Sequence, residues 1–289
     1  MSIEGSVGFI GLGNMGFGMA RNLVAAGYDV LAYDVAAEPL RRLAEQGARQ
    51  AQDLTQIGQE CRQVMVMVVS GEQVETVVSG DRGLLQTMAS GGIILVHSTI
   101  GLSEIRRVAA QAAARDIQVI DGPVSGGVEG AAEGRLTMLC GGEASVVEAH
   151  RPLLETVAAN VTHLGPLGAG LVGKLANNLI LGVGRLAIGE AFAMAKQAGL
   201  SLEALYKTML TCTADSKQLR SLEGAILRGE YPPATFHGLK DMTAAVDSGR
   251  AVGQAMPVTN LSRELYQLIE AKLDGLHGSN EVLRYFLED

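Results

Sequence analysis

The stretch VGFIGLGNMGFGMARNL, residues 7–23, joins an apolar run to three closely spaced glycines. The spacing is G-x-G-x-x-G, directly after the apolar run and before a helical pattern that ends at Gly27. In that context the first glycine permits a tight turn, the second lets a pyrophosphate approach the backbone, and the third lets the helix pack on the strand. The phosphates would bind the N–H groups at the helix N-terminus. The stretch therefore predicts a dinucleotide-binding loop whose contact residues are Gly11, Gly13, Asn14, Met15 and Gly16.

An acidic residue follows at the distance that such a loop requires. The segment YDVLAYD, residues 28–34, ends in Asp34, 18 residues after Gly16. Its carboxylate would accept a hydrogen bond from a ribose hydroxyl and would repel a 2′-phosphate, which favours NAD. Arg41 and Arg42 lie a turn or two further on and leave NADP open. The alternative, a tight strand–helix turn without a ligand, is disfavoured because strand, glycines, helix and acid all agree.

The first half of the chain alternates short apolar runs with amphipathic segments, which is typical of a parallel sheet covered by helices. The run VMVMVV, residues 64–69, is continuously apolar, as expected for a strand buried on both faces. Predicted strands are Val7–Ile10, Asp29–Tyr33, Val64–Val69, Ile93–His97 and Gln118–Asp121, with edge strands at Leu136–Cys140 and Val161–Leu164.

After residue 165 only helical periodicity continues, with interruptions near Glu230–Thr235 and Leu276–Ser279. A helix from Ala169 to Gly199 would be roughly 45 Å long at about 1.5 Å per residue. We therefore predict an α/β protein with a Rossmann-type doubly wound parallel sheet in residues 1–165. A long helix would join it to an all-helical domain in residues 166–289.

Composition excludes several classes of function. The formal net charge of -8 over 289 residues argues against nucleic acid as a partner. Three widely separated cysteines do not form a disulfide framework and fit a reducing cytoplasm. The five histidines have no metal-ligand spacing, so we expect no metal site.

Targeting and membrane segments are not expected either. The N-terminus has no basic region or cleavage pattern of a signal peptide. The apolar segment of residues 170–195 has too many polar side chains for a spanning helix, namely Lys174, Asn177, Asn178, Arg185 and Glu190.

A second glycine-rich stretch, DGPVSGGVEGA, occupies residues 121–131. Ser125, Gly126 and Gly127 offer a hydroxyl and freely oriented backbone N–H groups, which suit a small anion such as a carboxylate. The stretch should lie at the carboxyl edge of the sheet, where open α/β sheets bind ligands. An ordinary Pro/Gly loop is an equally good interpretation of the spacing alone.

A third candidate is GLVGKLANN, residues 170–178. Lys174, Asn177, Asn178 and Arg185 fall on one face of the predicted helix, and periodicity alone favours a solvated stripe. Against this, Leu181 lies within the stripe, and asparagine is a poor helix former. A partly desolvated lysine could exchange a proton with an alcohol oxygen during hydride transfer, and Asn178 could orient the substrate or the ammonium.

Together these stretches resemble the β-hydroxyacid dehydrogenases, the family of 3-hydroxyisobutyrate dehydrogenase and tartronate semialdehyde reductase. The resemblance covers nearly the whole chain and rests on GFIGLGNMG, DGPVSGG, GAGLVGKLANN and, near the end, LKDM. It implies homodimers or homotetramers and no membrane partner. It also implies roles for individual residues: Lys174 as the catalytic lysine, Ser125, Gly126 and Gly127 as the substrate-carboxylate loop, Asn178 as the substrate-orienting asparagine, and Thr99 and Lys240 as cofactor contacts. Without the resemblance, a surface ion pair is the better interpretation of Lys240 and Asp241.

The chain departs from the family pattern at a few positions. Gly122 stands where the family often has alanine, His97 stands where it often has an acid, and the stretch between Phe236 and Lys240 is shorter than usual. These positions bear on the substrate more than on the reaction. The leading hypothesis is an NAD-dependent oxidoreductase, in the cytoplasm, that acts on a short 3-hydroxy acid or its semialdehyde. The alternatives are a larger acid, such as a four-carbon sugar acid or a γ-hydroxy acid, and a dinucleotide-binding scaffold without catalysis.

Overall fold

The computed structural model describes residues 5–231, 237–273, 275 and 280–288. Most of the two predicted interruptions of the helical pattern, residues 232–235 and 276–279, and Phe236 lie outside these ranges. The chain forms two compact units, the first ending at Lys174 and the second beginning at Leu175. The predicted domain boundary after residue 165 stays a prediction.

Within the described residues the first unit contains a nine-stranded sheet. Its strands are β1 (Ser6–Ile10), β2 (Val30–Tyr33), β3 (Arg49–Gln50), β4 (Cys61–Val66), β5 (Ile93–Val96), β6 (Gln118–Asp121), β7 (Val124–Ser125), β8 (Leu136–Gly141) and β9 (Ala158–Gly165). Its helices are α1 (Gly16–Ala25), α2 (Ala37–Ala44), α3 (Leu54–Glu60), α4 (Gly71–Ser79), α5 (Leu102–Ala113), α6 (Gly127–Ala132) and α7 (Ala144–Val157).

Strands β3, β2, β1, β4, β5 and β6 are parallel neighbours in that order. The chain first adds strands on one side of β1 and then crosses to the other side with β4. The topological switch point, where such sheets bind ligands, therefore lies between β1 and β4. The predicted doubly wound parallel sheet is confirmed.

The continuous apolar runs are explained by alternation between two cores. In β5, Ile93 and Leu95 belong to one apolar cluster, which also contains residues of α1 and α7. Ile94 and Val96 belong to a second cluster, which contains residues of α3, α4 and α5. Successive side chains of a strand point to opposite faces, so both faces of β5 need apolar residues.

The structure corrects the prediction that Leu136–Cys140 is an edge strand. On one side β8 pairs antiparallel with the end of β6 and then with β7, and on the other side it pairs parallel with β9. The sequence pattern missed β3 and β7 because each has only two residues. It also placed the end of β4 too late. Beyond Val66, the N–H of Val68 donates to Ser98 Oγ and that of Val69 donates to Gln73 Oε1. These N–H groups therefore bond to side chains instead of to a neighbouring strand.

Beyond β9 the described residues form helices, as predicted. They are α8 (Ala169–Gln197), α9 (Leu202–Met209), α10 (Lys217–Ser221), α11 (Glu223–Arg228), α12 (Gly238–Ala251), α13 (Pro257–Lys272) and α14 (Arg284–Leu287). The second unit has its own apolar core, in which Phe192, Tyr206, Met242 and Tyr266 are buried.

Helix α8, with 29 residues, confirms the predicted long helix. Among the described residues it is the one helix whose length and hydropathy would allow it to cross a membrane, which by itself is weak evidence. Its polar residues Asn178 and Arg185 are only 5% and 6% exposed, respectively. Burial of such groups within the protein is expected of a core helix.

Candidate functional site

The loop Gly11–Gly16, between β1 and α1, has two glycines that the fold itself requires. Gly11 has φ +94°, a conformation that other residues rarely adopt. A Cβ on Gly16 would collide with the carbonyl oxygen of Gly11. In contrast, a Cβ on Gly13 would meet no protein atom within 4 Å. No atom of the described residues requires glycine at position 13, and open space beside the N-terminus of α1, which has no side-chain cap, fits a bound phosphate.

Asp34 follows β2 and bonds directly to this loop. Its Oδ2 accepts from the N–H of Leu12 at 2.5 Å, and its Oδ1 accepts from the N–H of Ala36 at 2.7 Å. The carboxylate is therefore fixed beside the glycines, with lone pairs left for a ribose hydroxyl.

The two arginines after Asp34 both have partners within the first unit. Arg41 forms an ion pair with Glu38 on its own helix. The guanidinium of Arg42 lies 4.7 Å from the ring centroid of Phe17, a cation–π contact. A 2′-phosphate would have to compete with these contacts.

The candidate residues of the first unit share one edge of the sheet. The glycine loop follows β1, Asp34 follows β2, Thr99 follows β5, and the Ser-Gly-Gly loop (Ser125–Gly127) comes after β6. Because these four strands are parallel, the segments that follow them meet at the carboxyl edge.

Backbone geometry distinguishes the Ser-Gly-Gly loop from an ordinary turn. Ser125 pairs with Thr137 in the sheet, and Gly126 and Gly127 have φ of +139° and +68°. Helix α6 begins at Gly127. Consecutive residues of this kind can turn their N–H groups toward one point, the arrangement of an anion-binding nest.

A single contact explains two departures from the family pattern. Nδ1 of His97 lies 2.7 Å from the carbonyl oxygen of Gly122, and a Cβ on Gly122 would be only 3.3 Å from that nitrogen. Glycine at position 122 lacks the methyl group of alanine and thus leaves room for the His97 imidazole. Burial lowers the pKa of His97 to about 4, against a smaller opposite effect of the Gly122 hydrogen bond. The neutral ring donates from Nδ1 to the carbonyl just before the Ser-Gly-Gly loop.

Asp121, at the end of β6, is a fully buried acid whose role sequence reasoning missed. Its Oδ1 accepts from the N–H of Gly168 at 2.6 Å and its Oδ2 from the N–H of Leu171 at 2.8 Å. Burial raises the pKa of Asp121, and these backbone donors act in the opposite direction. The side chain therefore caps the first turn of α8. No local sequence signal indicated this role, because the two donors lie 47 and 50 residues further along the chain.

The solvated-stripe interpretation of α8 is wrong for Asn178 and Arg185, because both are buried. Burial also lowers the pKa of Arg185. Lys174 is half-buried and lies one helical turn before Asn178.

In the second unit, Asn178 is held by a residue of the LKDM motif. Its Nδ2 donates to Oδ2 of Asp241 at 3.0 Å, and its Oδ1 accepts from Nδ2 of Asn177 at 3.0 Å. Asp241 is 4% exposed, so a surface ion pair is the wrong interpretation of this acid. Lys240 is half-buried on the first turn of α12, and its role as a cofactor contact stays a prediction. Sequence reasoning missed that Asp241 is the partner of Asn178, since 63 residues separate them.

In the part of the chain that the structure describes, no group of three or more His, Cys, Asp or Glu side chains could hold a metal ion. The three cysteines are free: Cys61 and Cys140 are buried, and Cys212 is exposed. Burial raises the pKa of both inner thiols to about 12.

Comparison with known proteins agrees with this geometry. The profile of the NAD binding domain of 6-phosphogluconate dehydrogenase matches residues 6–165, and that of the NAD-binding domain of NADP-dependent 3-hydroxyisobutyrate dehydrogenase matches residues 168–286. The 3-hydroxyisobutyrate dehydrogenase of Pseudomonas aeruginosa is 34% identical over 94% of this chain and 94% of its own. This chain belongs to the β-hydroxyacid dehydrogenase family.

Two further members of the family are informative. The NAD-dependent L-serine dehydrogenase of Pseudomonas aeruginosa is 34% identical, covering 91% of this chain and 91% of its own. The structure of Mycobacterium tuberculosis 3-hydroxyisobutyrate dehydrogenase, determined with L-serine, superimposes with a TM-score of 0.88 at 29% identity, covering 99% of this chain and 100% of that one.

As a β-hydroxyacid dehydrogenase, the protein is an NAD(P)-dependent oxidoreductase of hydroxy acids. Its glycine loop and Asp34 fit the dinucleotide, which supplies the hydride acceptor when bound. The predicted family, the Rossmann-type fold, the enzyme class and the cofactor are confirmed. The roles of the individual site residues stay predictions.

Proposed function

We propose that this enzyme is an NAD-dependent dehydrogenase of short 3-hydroxy acids. Examples are 3-hydroxyisobutyrate, L-serine and glycerate, the reduced partner of tartronate semialdehyde. L-serine and 3-hydroxyisobutyrate share a carboxylate and a hydroxyl on the third carbon. The observation that supports the proposal most is the contact of Asp121 with the first turn of α8. It connects the end of β6, four residues before Ser125, with the helix that carries Lys174.

In the direction of oxidation, the Ser-Gly-Gly loop binds the carboxylate through backbone N–H groups and the Ser125 hydroxyl. The neutral amine of Lys174 would accept the hydroxyl proton, and a nicotinamide dinucleotide held by the glycine loop and Asp34 would supply the acceptor for the hydride of the third carbon, which becomes an aldehyde. Asn178 donates a hydrogen bond that orients the substrate. In the direction of reduction, the ammonium returns the proton to the carbonyl oxygen.

The experiment is a panel of hydroxy acids assayed with NAD and NADP, in the wild type and in Lys174→Ala, with the exposed Lys217→Ala as a control. We expect turnover of 3-hydroxyisobutyrate, L-serine and glycerate with NAD, and slower turnover of four-carbon sugar acids and γ-hydroxy acids. Loss of the general base should lower kcat by roughly 10²–10⁴-fold in Lys174→Ala and leave Lys217→Ala unchanged.

The other outcomes identify the alternatives. Near-wild-type turnover of a confirmed substrate by Lys174→Ala would show that the lysine does not transfer the proton. Preference for a four-carbon sugar acid or a γ-hydroxy acid would replace the substrate class. NAD binding without turnover of any acid would mean a non-catalytic scaffold.

The proposed preference for NAD over NADP rests on Asp34 and on two arginines, Arg41 and Arg42, that already have partners within the protein. The carboxylate would repel a 2′-phosphate, and Arg41 and Arg42 contact Glu38 and Phe17 instead. A lower dissociation constant for NADP than for NAD, measured by calorimetry, would contradict it.

We also propose a cytoplasmic homodimer or homotetramer. Several large apolar side chains of α8 and α13 are exposed, among them Ile180 at 72% and Leu261 at 63%. Apolar surfaces of this kind are typical of subunit interfaces. Light scattering should give two or four times the chain mass of 30.2 kDa; a monomer would contradict the proposal.

A further inference from the structure

The first turn of α8 receives its cap from a distant residue. The residues immediately before the helix, Gly-Pro-Leu-Gly at 165–168, have no side chain that could accept a hydrogen bond. The acceptor is the Asp121 carboxylate, 47 residues before Gly168 and 50 before Leu171. One oxygen bonds to each N–H, so the carboxylate fixes both position and direction of the turn.

Neighbouring elements leave space for this carboxylate. A Cβ on Gly141, at the end of β8, would collide with Asp121 Oδ1 and lie 2.7 Å from the Ala169 nitrogen. A Cβ on Gly170, in α8, would collide with the carbonyl oxygen of Leu139 in β8 and would also lie 2.9 Å from Asp121 Oδ2. Strand and helix thus both have glycine where they approach the acid. The site is built around a carboxylate in contact with the helix.

Two opposing effects act on the charge of Asp121. Burial, the larger effect, raises the pKa of its carboxyl, and the backbone N–H donors on its two oxygens act in the opposite direction by stabilising the carboxylate. The adjacent titratable group, Cys140, has a pKa raised to about 12, first by burial and then by the Asp121 charge. Its thiol is neutral and does not compensate the acid.

Lys174 lies three residues after Leu171, so about 4.5 Å of helix rise separates the capped residue from the lysine. We propose that Asp121 is a positioning residue for the reaction: it holds the first turn of α8 against the end of β6, four residues before the Ser-Gly-Gly loop, and its charge offsets the positive end of the helix near Lys174. This inference rests on the proposed role of Lys174. Catalysis depends steeply on geometry, because a misplacement of about 1 Å can cost on the order of 10²-fold in rate.

The test compares Asp121→Asn with Asp53→Asn. Asp53 also caps a helix: it is the half-buried N-cap of α3 and accepts from the Gln56 N–H at 2.9 Å, and α3 carries no candidate site residue. In Asp121→Asn an amide nitrogen must face an N–H donor, and the charge is lost. We expect kcat to fall at least tenfold, NAD affinity to stay within twofold, and the lysine-dependent limb of the kcat/KM pH profile to move to lower pH. Asp53→Asn should leave kcat and the pH limb unchanged, because asparagine caps a helix about as well as aspartate.

A second measurement does not depend on activity. The rate of Lys174 acylation by acetic anhydride, followed by mass spectrometry across pH with Lys217 as the internal reference, reports the lysine's ionisation. We expect its midpoint to fall in Asp121→Asn and to stay unchanged in Asp53→Asn. If Asp121→Asn does not fold, Gly141→Ala, whose methyl group would press on both Asp121 Oδ1 and the Ala169 nitrogen, disturbs the contact while the charge remains. It should lower kcat and move the pH limb less than the loss of the charge would.

The outcomes separate this inference from the proposed function. Wild-type kcat and an unmoved labelling midpoint in folded Asp121→Asn, together with an inactive Lys174→Ala, would overturn the positioning role alone. An active Lys174→Ala would overturn the proposed function, and the labelling result would then still decide whether Asp121 controls the lysine's ionisation.

Discussion

Asn178 is oriented by its partner, because a carboxylate can only accept hydrogen bonds and the amide must therefore turn Nδ2 toward Asp241. This leaves the second Nδ2 hydrogen and one Oδ1 lone pair for other partners. The bond thus determines which amide atoms can reach a substrate. An asparagine without such a partner could flip, and half of its orientations would present the wrong atom.

Exchanging the two residues tests this pair. Asn178→Asp places two buried carboxylates opposite each other and should cost roughly 3–5 kcal/mol of unfolding free energy. Adding Asp241→Asn restores an amide–carboxylate bond with reversed direction, so stability should largely return while kcat stays low, since the substrate now meets a carboxylate. Chemical denaturation and steady-state kinetics of the single and double variants measure both effects. Full recovery of turnover in the double variant would show that the Asn178 amide does not contact the substrate.

At the scale of elements, the glycine loop separates what the fold needs from what a ligand needs. Gly13→Ala meets no protein atom, so it should leave thermal stability within about 0.5 kcal/mol of wild type but weaken NAD binding at least tenfold. Gly16→Ala should lower both, because its methyl group collides with the Gly11 carbonyl. Melting curves and calorimetry distinguish the two variants. Normal NAD affinity in Gly13→Ala would show that the phosphates of the dinucleotide do not contact the loop at this residue.

Long elements could be predicted from sequence because their signals are periodic and local. The strands around β5 and helix α8 follow from apolar patterns that extend over whole elements. The pairing of β8 on both sides could not be predicted, since β7 has two residues and no periodicity. The roles of Asp121 and Asp241 could not be predicted either. Their hydrogen-bond partners are 47–50 and 63 residues distant, and a single sequence carries no trace of such contacts.

For the whole molecule, His97 makes stability depend on pH. Its pKa is about 4 in the folded state and about 6.5 in the unfolded chain, so the folded state favours the neutral ring. The full contribution is present above about pH 6.5 and is lost as pH falls toward 4. Two and a half pKa units correspond to on the order of 3 kcal/mol. His97→Asn should flatten the curve of unfolding free energy between pH 4 and 6.5, measured by urea denaturation; parallel curves for the two proteins would contradict the assignment.

The three thiols, all within the described part of the chain, differ sharply in accessibility. Cys61 and Cys140 are buried in the first unit and Cys212 is exposed in the second. Maleimides and disulfide reagents attack thiolates that they can reach, so the native enzyme should accept a fluorophore or spin label at Cys212 alone. The natural sequence therefore provides a single spectroscopic handle on the helical unit, and no cysteine has to be removed to use it.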